Sequence, residues 1–183
     1  MTLNTWFEKG QTFEQYRTSM EVNQAEVTAV YEQVQLNDED QRFLTDLRQR
    51  NWRGIVLTAD WCGDAALNVP IIQRMAEESD IELRFLIRDE NLELMNQYLT
   101  NGTSRSIPIF VFIDQEGQEA RVWGPRADEI QQLVTSLRND LPASDSPDFE
   151  EKQKNMYREF KQTITTDPNM WRAVIDSVKE KLA

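Results

Sequence analysis

Strand-length apolar runs alternate with helix-like segments along the middle of this chain, between residues 53 and 141. The first run, 53–59, has a continuous apolar stretch, which is typical of a central strand buried on both faces. The apolar periodicity predicts four strands at 53–59, 81–87, 108–113 and 119–123, and three helices at 65–78, 90–99 and 126–141. This alternation predicts an α/β fold, because strands and helices in this order pack as layers.

The last two predicted strands are joined by a four-residue link that ends in Gly117. A short link containing glycine favours an antiparallel hairpin, whereas strands separated by a helix usually run parallel. The sequence therefore predicts a four-stranded mixed sheet in the order β-α-β-α-β-β-α.

Both ends of the chain have helical patterns outside this segment. Near the N-terminus, Thr12 with Gln15 and Asn23 with Glu26 have the spacing of capping boxes, and another helix opens at Asn37 or the next residue. Residues 142–147 have the composition of a linker, and two helical patterns follow it. We predict a helical N-terminal extension packed on the core (1–50), an α/β domain (51–141), and a linker with a C-terminal helical extension (142–183).

Charge and composition exclude several classes of function. The chain has 32 acidic and 20 basic residues, giving a formal net charge of −12, with no histidine and one cysteine. Because a surface of this sign repels phosphates, we expect no nucleic-acid partner and no membrane partner. Without histidine there is no Ser/His/Asp triad and no histidine-ligated metal site, and no glycine-rich nucleotide loop occurs. We therefore expect no cofactor and no bound metal.

The expected compartment follows from the cysteine content and the first residues. A single cysteine forms no internal disulfide, and residues 1–10 lack the apolar segment of a secretory signal. Chains without disulfides are typical of reducing compartments, so we expect a cytoplasmic protein. Its oligomeric state is left open.

The single cysteine, Cys62, directly follows the first predicted strand and begins the next helix. A helix N-terminus stabilises a thiolate, because its amide groups are unpaired and its dipole is positive there. The run Trp61-Cys62-Gly63 resembles the active-site start of the thioredoxin family, and the similarity extends from about residue 53 to 141. A helix proline, an expected cis-proline and two glycines fit the same resemblance, at Pro70, Ile107-Pro108, Gly117 and Gly124.

The resemblance implies a thioredoxin-like fold and a bacterial source, but two departures change the expected chemistry. The position of the family's second, resolving cysteine is Ala65, and the position of its buried acid is Val56. The two losses are coupled, since the acid helps to deprotonate the thiol that is missing. A dithiol cycle cannot run within this chain.

The resemblance also implies the residues of the site. Cys62 is the candidate catalytic residue, and the candidate substrate groove consists of Trp61, Gly63, Asp64, Ile107 and Pro108. The helix start lowers the pKa of the thiol, whereas the carboxylates of Asp64 and Asp60 raise it. We interpret both carboxylates as surface residues that favour the helix start rather than as an acid–base pair.

Three hypotheses for function remain. In the first, Cys62 performs monothiol exchange with a protein disulfide or a low-molecular-weight thiol, and an external thiol releases the product. In the second, the protein is a non-catalytic binding module that uses the cis-proline groove and the terminal helices. In the third, Cys62 is a sensor that is oxidised to sulfenic acid. A bridged iron–sulfur cluster, as in monothiol glutaredoxins, is not indicated, because the Cys-Gly-Phe-Ser signature is absent.

Overall fold

The computed structural model describes all 183 residues and places a four-stranded mixed sheet at the centre of the chain. The strands are β1 (Arg53–Thr58), β2 (Glu82–Ile87), β3 (Ile109–Ile113) and β4 (Glu119–Trp123), in the spatial order β2-β1-β3-β4. Strand β1 pairs parallel with β2 and antiparallel with β3, and β4 pairs antiparallel with β3. The predicted α/β class and mixed sheet are confirmed.

Nine α-helices surround the sheet. They are α1 (Leu3–Lys9), α2 (Phe13–Ser19), α3 (Gln24–Gln33), α4 (Asp38–Leu47), α5 (Gly63–Glu78), α6 (Leu92–Met95), α7 (Asp128–Asn139), α8 (Phe149–Thr166) and α9 (Pro168–Leu182). None of these helices is long and apolar enough to cross a membrane.

Residues from both chain ends share one hydrophobic core with the sheet. The core is a single cluster of 47 buried residues, which includes Trp6 and Tyr16 near the N-terminus and Trp171 and Val178 near the C-terminus. Helix α5 packs against α3 from the N-terminal part and against α8 and α9 from the C-terminal part. Helix α5, which begins at the single cysteine, thus joins α3 and α4 to α8 and α9, whereas α1 and α2 pack on β2.

The helix predicted at 90–99 is wrong in extent. A 3₁₀ turn covers Arg88–Glu90, and α6 comprises four residues only. Within α6 only Leu94 and Met95 are buried, and the exposed Asn96 and Gln97 follow them. With so short an apolar stripe and a run of polar residues after it, little packing energy is available to extend the helix.

The two predicted capping boxes have different outcomes. At the start of α2, Thr12 and Gln15 form both hydrogen bonds of the box, as predicted. Before α3, Asn23 has a left-handed backbone, with φ of 61°, and its side chain makes no cap. The Asn23 amide instead donates to the backbone oxygen of Asp60 at 2.9 Å. The predicted box is wrong because this side chain is used to hold the loop that precedes the cysteine.

Candidate functional site

Cys62 lies between the sheet and the cis-proline loop. It is the N-cap residue of α5, four residues after the end of β1. Its side chain is buried, with 8% of the residue exposed, and its thiol donates to the backbone oxygen of Ile107 at 3.5 Å. The peptide bond between Ile107 and Pro108 is cis. The structure thus brings together the candidate catalytic residue and the loop that the sequence placed opposite it.

Pro108 itself is buried behind this loop and lines neither cleft beside the cysteine. Gly124, which directly follows β4, packs on it with a φ of +127°. A side-chain Cβ at Gly124 would overlap the backbone oxygen of Pro108. Glycine is therefore required at this position by both the backbone angle and the close approach.

Asp64 is not the exposed residue expected from the sequence. It is 7% exposed and accepts two hydrogen bonds from the Arg126 guanidinium, at 2.8 and 2.7 Å. The Asp60 carboxylate accepts hydrogen bonds from the backbone amides of Glu21 and Val22, at 2.9 and 3.3 Å. Both carboxylates are thus tied to distant segments, because each has a donor 38 or more residues away in the sequence.

Burial decides the ionisation of the thiol. Desolvation and the negative charge of Asp64 raise the pKa of Cys62 to about 11, despite hydrogen bonds from the backbone amides of Ala65 and Asp64 and the nearby charge of Arg126. The helix start, which was expected to lower the pKa, is outweighed. At neutral pH Cys62 is a neutral thiol.

Two clefts meet beside Trp61, whose side chain is prominent at the surface with 52% of the residue exposed. The cis-proline cleft, about 320 Å³, is lined by Trp61, Cys62, Asp64, Arg88, Ser104, Arg105, Ser106, Ile107, Pro125 and Arg126. The α8 cleft, about 550 Å³, is lined by Trp61, Cys62, Gly63, Asp64, Arg126, Lys154, Tyr157, Arg158, Phe160 and Lys161. The predicted groove residues other than Pro108 are therefore divided between two adjoining clefts.

The cationic residues of these clefts were not predicted from the sequence. The guanidinium of Arg88 lies 4.8 Å from the centre of the Trp61 ring, and Lys161 contacts the position where a Gly63 side chain would begin, at 3.6 Å. Lys154 and Arg158 stand four residues apart on α8 and are both exposed. That spacing of like charges was visible in the sequence, but the face of α8 that meets the cysteine was not.

A first testable consequence concerns alkylation of Cys62. With a folded pKa of about 11 and an unfolded value near 8.5, iodoacetamide is expected to react at pH 7 at least about 100-fold more slowly in the folded protein than in denaturant. The pH dependence of the alkylation rate, followed by mass spectrometry, measures this difference.

The matched comparison uses two Asp→Asn variants. Asp64→Asn should lower the pKa of Cys62, because it removes the neighbouring negative charge and leaves Arg126 in place. Asp60→Asn should change it less, since the Asp60 carboxylate accepts hydrogen bonds from the Glu21 and Val22 amides and Asp64 is the main charge that raises the Cys62 pKa. Fast alkylation of the folded wild-type protein at pH 7 would contradict the buried, neutral thiol.

Sheet order, a cysteine at the N-cap of the helix after the central strand, and a cis-proline loop beside that cysteine define a protein of the thioredoxin fold. The family model described as thioredoxin matches residues 10–138. The chain belongs to the thioredoxin family. No protein with a curated description matches the sequence.

Solved structures extend the likeness to the terminal helices. A Pseudomonas aeruginosa protein of unknown function is 14% identical with a TM-score of 0.67, covering 98% of each chain. An HIV epitope-scaffold protein is 15% identical with a TM-score of 0.69, covering 97% of this chain and 96% of its own. The thioredoxin of Fasciola hepatica is 23% identical with a TM-score of 0.35, covering 54% of this chain and 91% of its own. The two long matches establish a shared fold that includes the helices at both ends.

Proposed function

We propose that this protein is a binding module of the thioredoxin fold, which takes an extended peptide beside Trp61 and keeps the Cys62 thiol protonated. The observation that carries the proposal is the state of the thiol. It is buried, donates to the Ile107 oxygen and has a pKa of about 11, and Ala65 stands where a resolving thiol would be. A thiol in this state contributes packing and a hydrogen bond rather than nucleophilic attack.

The cis-proline loop offers groups that suit a peptide. The backbone amides of Ser106 and Ile107 donate to no acceptor within the chain. An extended peptide accepts such donors with its own carbonyl oxygens, in the manner of strand addition. The half-exposed Trp61 ring, with Arg88 stacked on it, would form one wall of this groove. Amphipathic rings of this kind supply large contact area at low entropic cost.

The test is selection from a random-peptide library in excess dithiothreitol, which excludes capture through a disulfide. Recovered peptides should bind Trp61→Ala at least about tenfold more weakly, because a central aromatic contact typically carries more than 1.4 kcal/mol. They should bind Cys62→Ser with unchanged affinity. Val22→Ala is the control, since Val22 is also exposed but lies outside both clefts. Peptides recovered only without reductant would overturn the proposal.

A second candidate function is monothiol exchange through Cys62, with a protein disulfide or the disulfide of a low-molecular-weight thiol as substrate. The amides of Asp64 and Ala65, together with Arg126, lower the pKa of Cys62, although burial and the charge of Asp64 outweigh them. In this reaction the Cys62 sulfur, once deprotonated, attacks one sulfur of the disulfide and expels the other as a thiolate. An external thiolate then attacks the mixed disulfide, which restores Cys62 and forms a new disulfide. Peptide capture that occurs only without reductant and is lost in Cys62→Ser would favour this candidate.

A further inference from the structure

The α8 cleft is built by a part of the chain outside the residues that match the thioredoxin family. The family match ends at residue 138, and α8 begins at Phe149. The helix crosses the start of α5 closely, with Lys161 lying against Gly63. It thereby adds a wall beside Cys62 and encloses a cleft of about 550 Å³. A volume of this size is typical of ligand-binding clefts.

The charge of this cleft is opposite to that of the protein. Four cationic residues line it, namely Arg126, Lys154, Arg158 and Lys161, in a chain with a formal net charge of −12. Arg126 is paired with Asp64, and Lys161 with Glu26 at 3.4 Å. The ion pairs of α8 involve only Lys152 and Lys161, so Lys154 and Arg158 keep their charges free.

Neither of these two cations forms an ion pair within α8, although Glu150 lies four residues before Lys154. Like charges four residues apart on a helix repel each other and cost a few tenths of a kcal/mol, about 0.2–0.5. Both side chains are exposed and neither buries apolar surface in the core. Their common feature is that they border the same cleft, which suits a negatively charged occupant.

Two exposed aromatic residues line the cleft. Trp61 and Tyr157 are 52% and 41% exposed, and they are the two aromatic residues among the large exposed hydrophobic side chains. The Tyr157 hydroxyl accepts from Arg138 at 3.2 Å, which adds another cation at this rim. Exposed aromatic and arginine side chains together are typical of peptide-binding surfaces.

We propose that the α8 cleft binds an acidic peptide segment of a partner protein, with its carboxylates on Lys154 and Arg158 and its backbone between Trp61 and Tyr157. The inference rests on the proposed function, because the two clefts adjoin and share Trp61, Cys62, Asp64 and Arg126. The cis-proline loop binds the peptide backbone, and α8 selects for negative charge on the portion beyond Trp61.

The experiment extends a peptide from the library selection at either end with tetraglutamate or, as a neutral reference, tetraglutamine. Tetraglutamate at one end should tighten binding by roughly fivefold to tenfold at low ionic strength, since it adds two exposed ion pairs, and the gain should fall as salt is raised. The dissociation constants are measured by fluorescence anisotropy with the full-length protein.

Two double variants separate the α8 cleft from overall charge. Lys154→Ala with Arg158→Ala should abolish the gain from tetraglutamate and leave the tetraglutamine peptide unaffected. Arg42→Ala with Lys181→Ala removes the same charges from exposed positions outside the α8 cleft and should preserve the gain. Circular dichroism and thermal unfolding confirm that both double variants fold.

The outcomes are distinguishable. If no peptide is recovered by the library selection, the proposed function fails. If the parent peptide binds but tetraglutamate adds nothing beyond tetraglutamine, or both double variants lose the gain equally, the inference about α8 is overturned while the proposed function stands. Citrate at the same concentration of negative charge is the last comparison. If it binds by itself and abolishes only the gain from tetraglutamate, the cleft takes small anions. That result also overturns the acidic-peptide assignment.

Discussion

Replacing Gly124 with alanine is expected to destabilise the protein by at least about 3 kcal/mol. Two effects add at this position. Its φ of +127° lies in a region that residues with a Cβ rarely adopt, and the new Cβ would overlap the Pro108 backbone oxygen. That oxygen belongs to the backbone between the cis-proline loop and β3, so it cannot move aside as a flexible side chain would. Relief of the overlap requires displacement of the loop that holds Cys62.

The matched control is Gly102→Ala. Gly102 also has a positive φ, of +71°, but nothing lies within 4 Å of the position its Cβ would take. This variant should lose only the backbone preference, about 1–2 kcal/mol. Free energies of unfolding from urea titrations measure both losses, and Cys62 alkylation reports whether the loop has moved. Equal losses for the two variants would contradict a specific contact between Gly124 and Pro108.

The arrangement of the sheet was predictable because its signals are local. Continuous apolar runs identify buried strands, a short glycine-containing link identifies the hairpin, and Cys62 follows β1 directly in the sequence. The helix predicted at 90–99 failed for the complementary reason. The extent of α6 depends on how much of it packs against the rest of the fold, and only Leu94 and Met95 are buried there.

The electrostatics of the site were not predictable, since they depend on pairs that are distant in sequence. Asp64 and Arg126 are separated by 62 residues, and no local pattern connects them. The same holds for the burial that raises the Cys62 pKa and for the face that α8 presents to the cysteine. The sequence identified the helix start and Asp64 as groups that shift the pKa of the thiol, but Arg126 and the net direction of the shift required the position of each group.

Replacing Asp40 with asparagine is expected to cost about 3 kcal/mol or more, because it removes the buried carboxylate that two partly buried cations share and leaves them only their exposed partners, Asp176 and Glu39. Asp40 is fully buried and accepts two hydrogen bonds from Arg172, at 2.7 and 2.8 Å, and one from Lys179 at 2.9 Å. Burial alone would raise the pKa of Asp40, but these hydrogen bonds and that from the Asn37 amide outweigh it and lower the pKa to about 2.

The sign of the pH dependence follows from this shift. A carboxyl whose pKa is lower in the folded than in the unfolded state, where it is near 4, contributes stability that is fully present above pH 4 and lost as the pH falls towards 2. Asp40→Asn should therefore reduce the free energy of unfolding at neutral pH and flatten its decline between pH 4 and pH 2. Urea titrations at several pH values measure both effects.

Asp176→Asn is the control, since Asp176 also pairs with Arg172 but is 60% exposed in its side chain. The free energy of unfolding of this variant should fall by less than about 1 kcal/mol, as for exposed ion pairs in general. Similar losses for the two variants would contradict a specific role of the buried carboxylate.

Asp40 lies on α4 and its partners lie on α9, so its ion pairs join a helix of the N-terminal extension to one of the C-terminal extension. Amide exchange in α9 should then accelerate in Asp40→Asn more than in Asp176→Asn, since only the first variant removes ion pairs between α4 and α9.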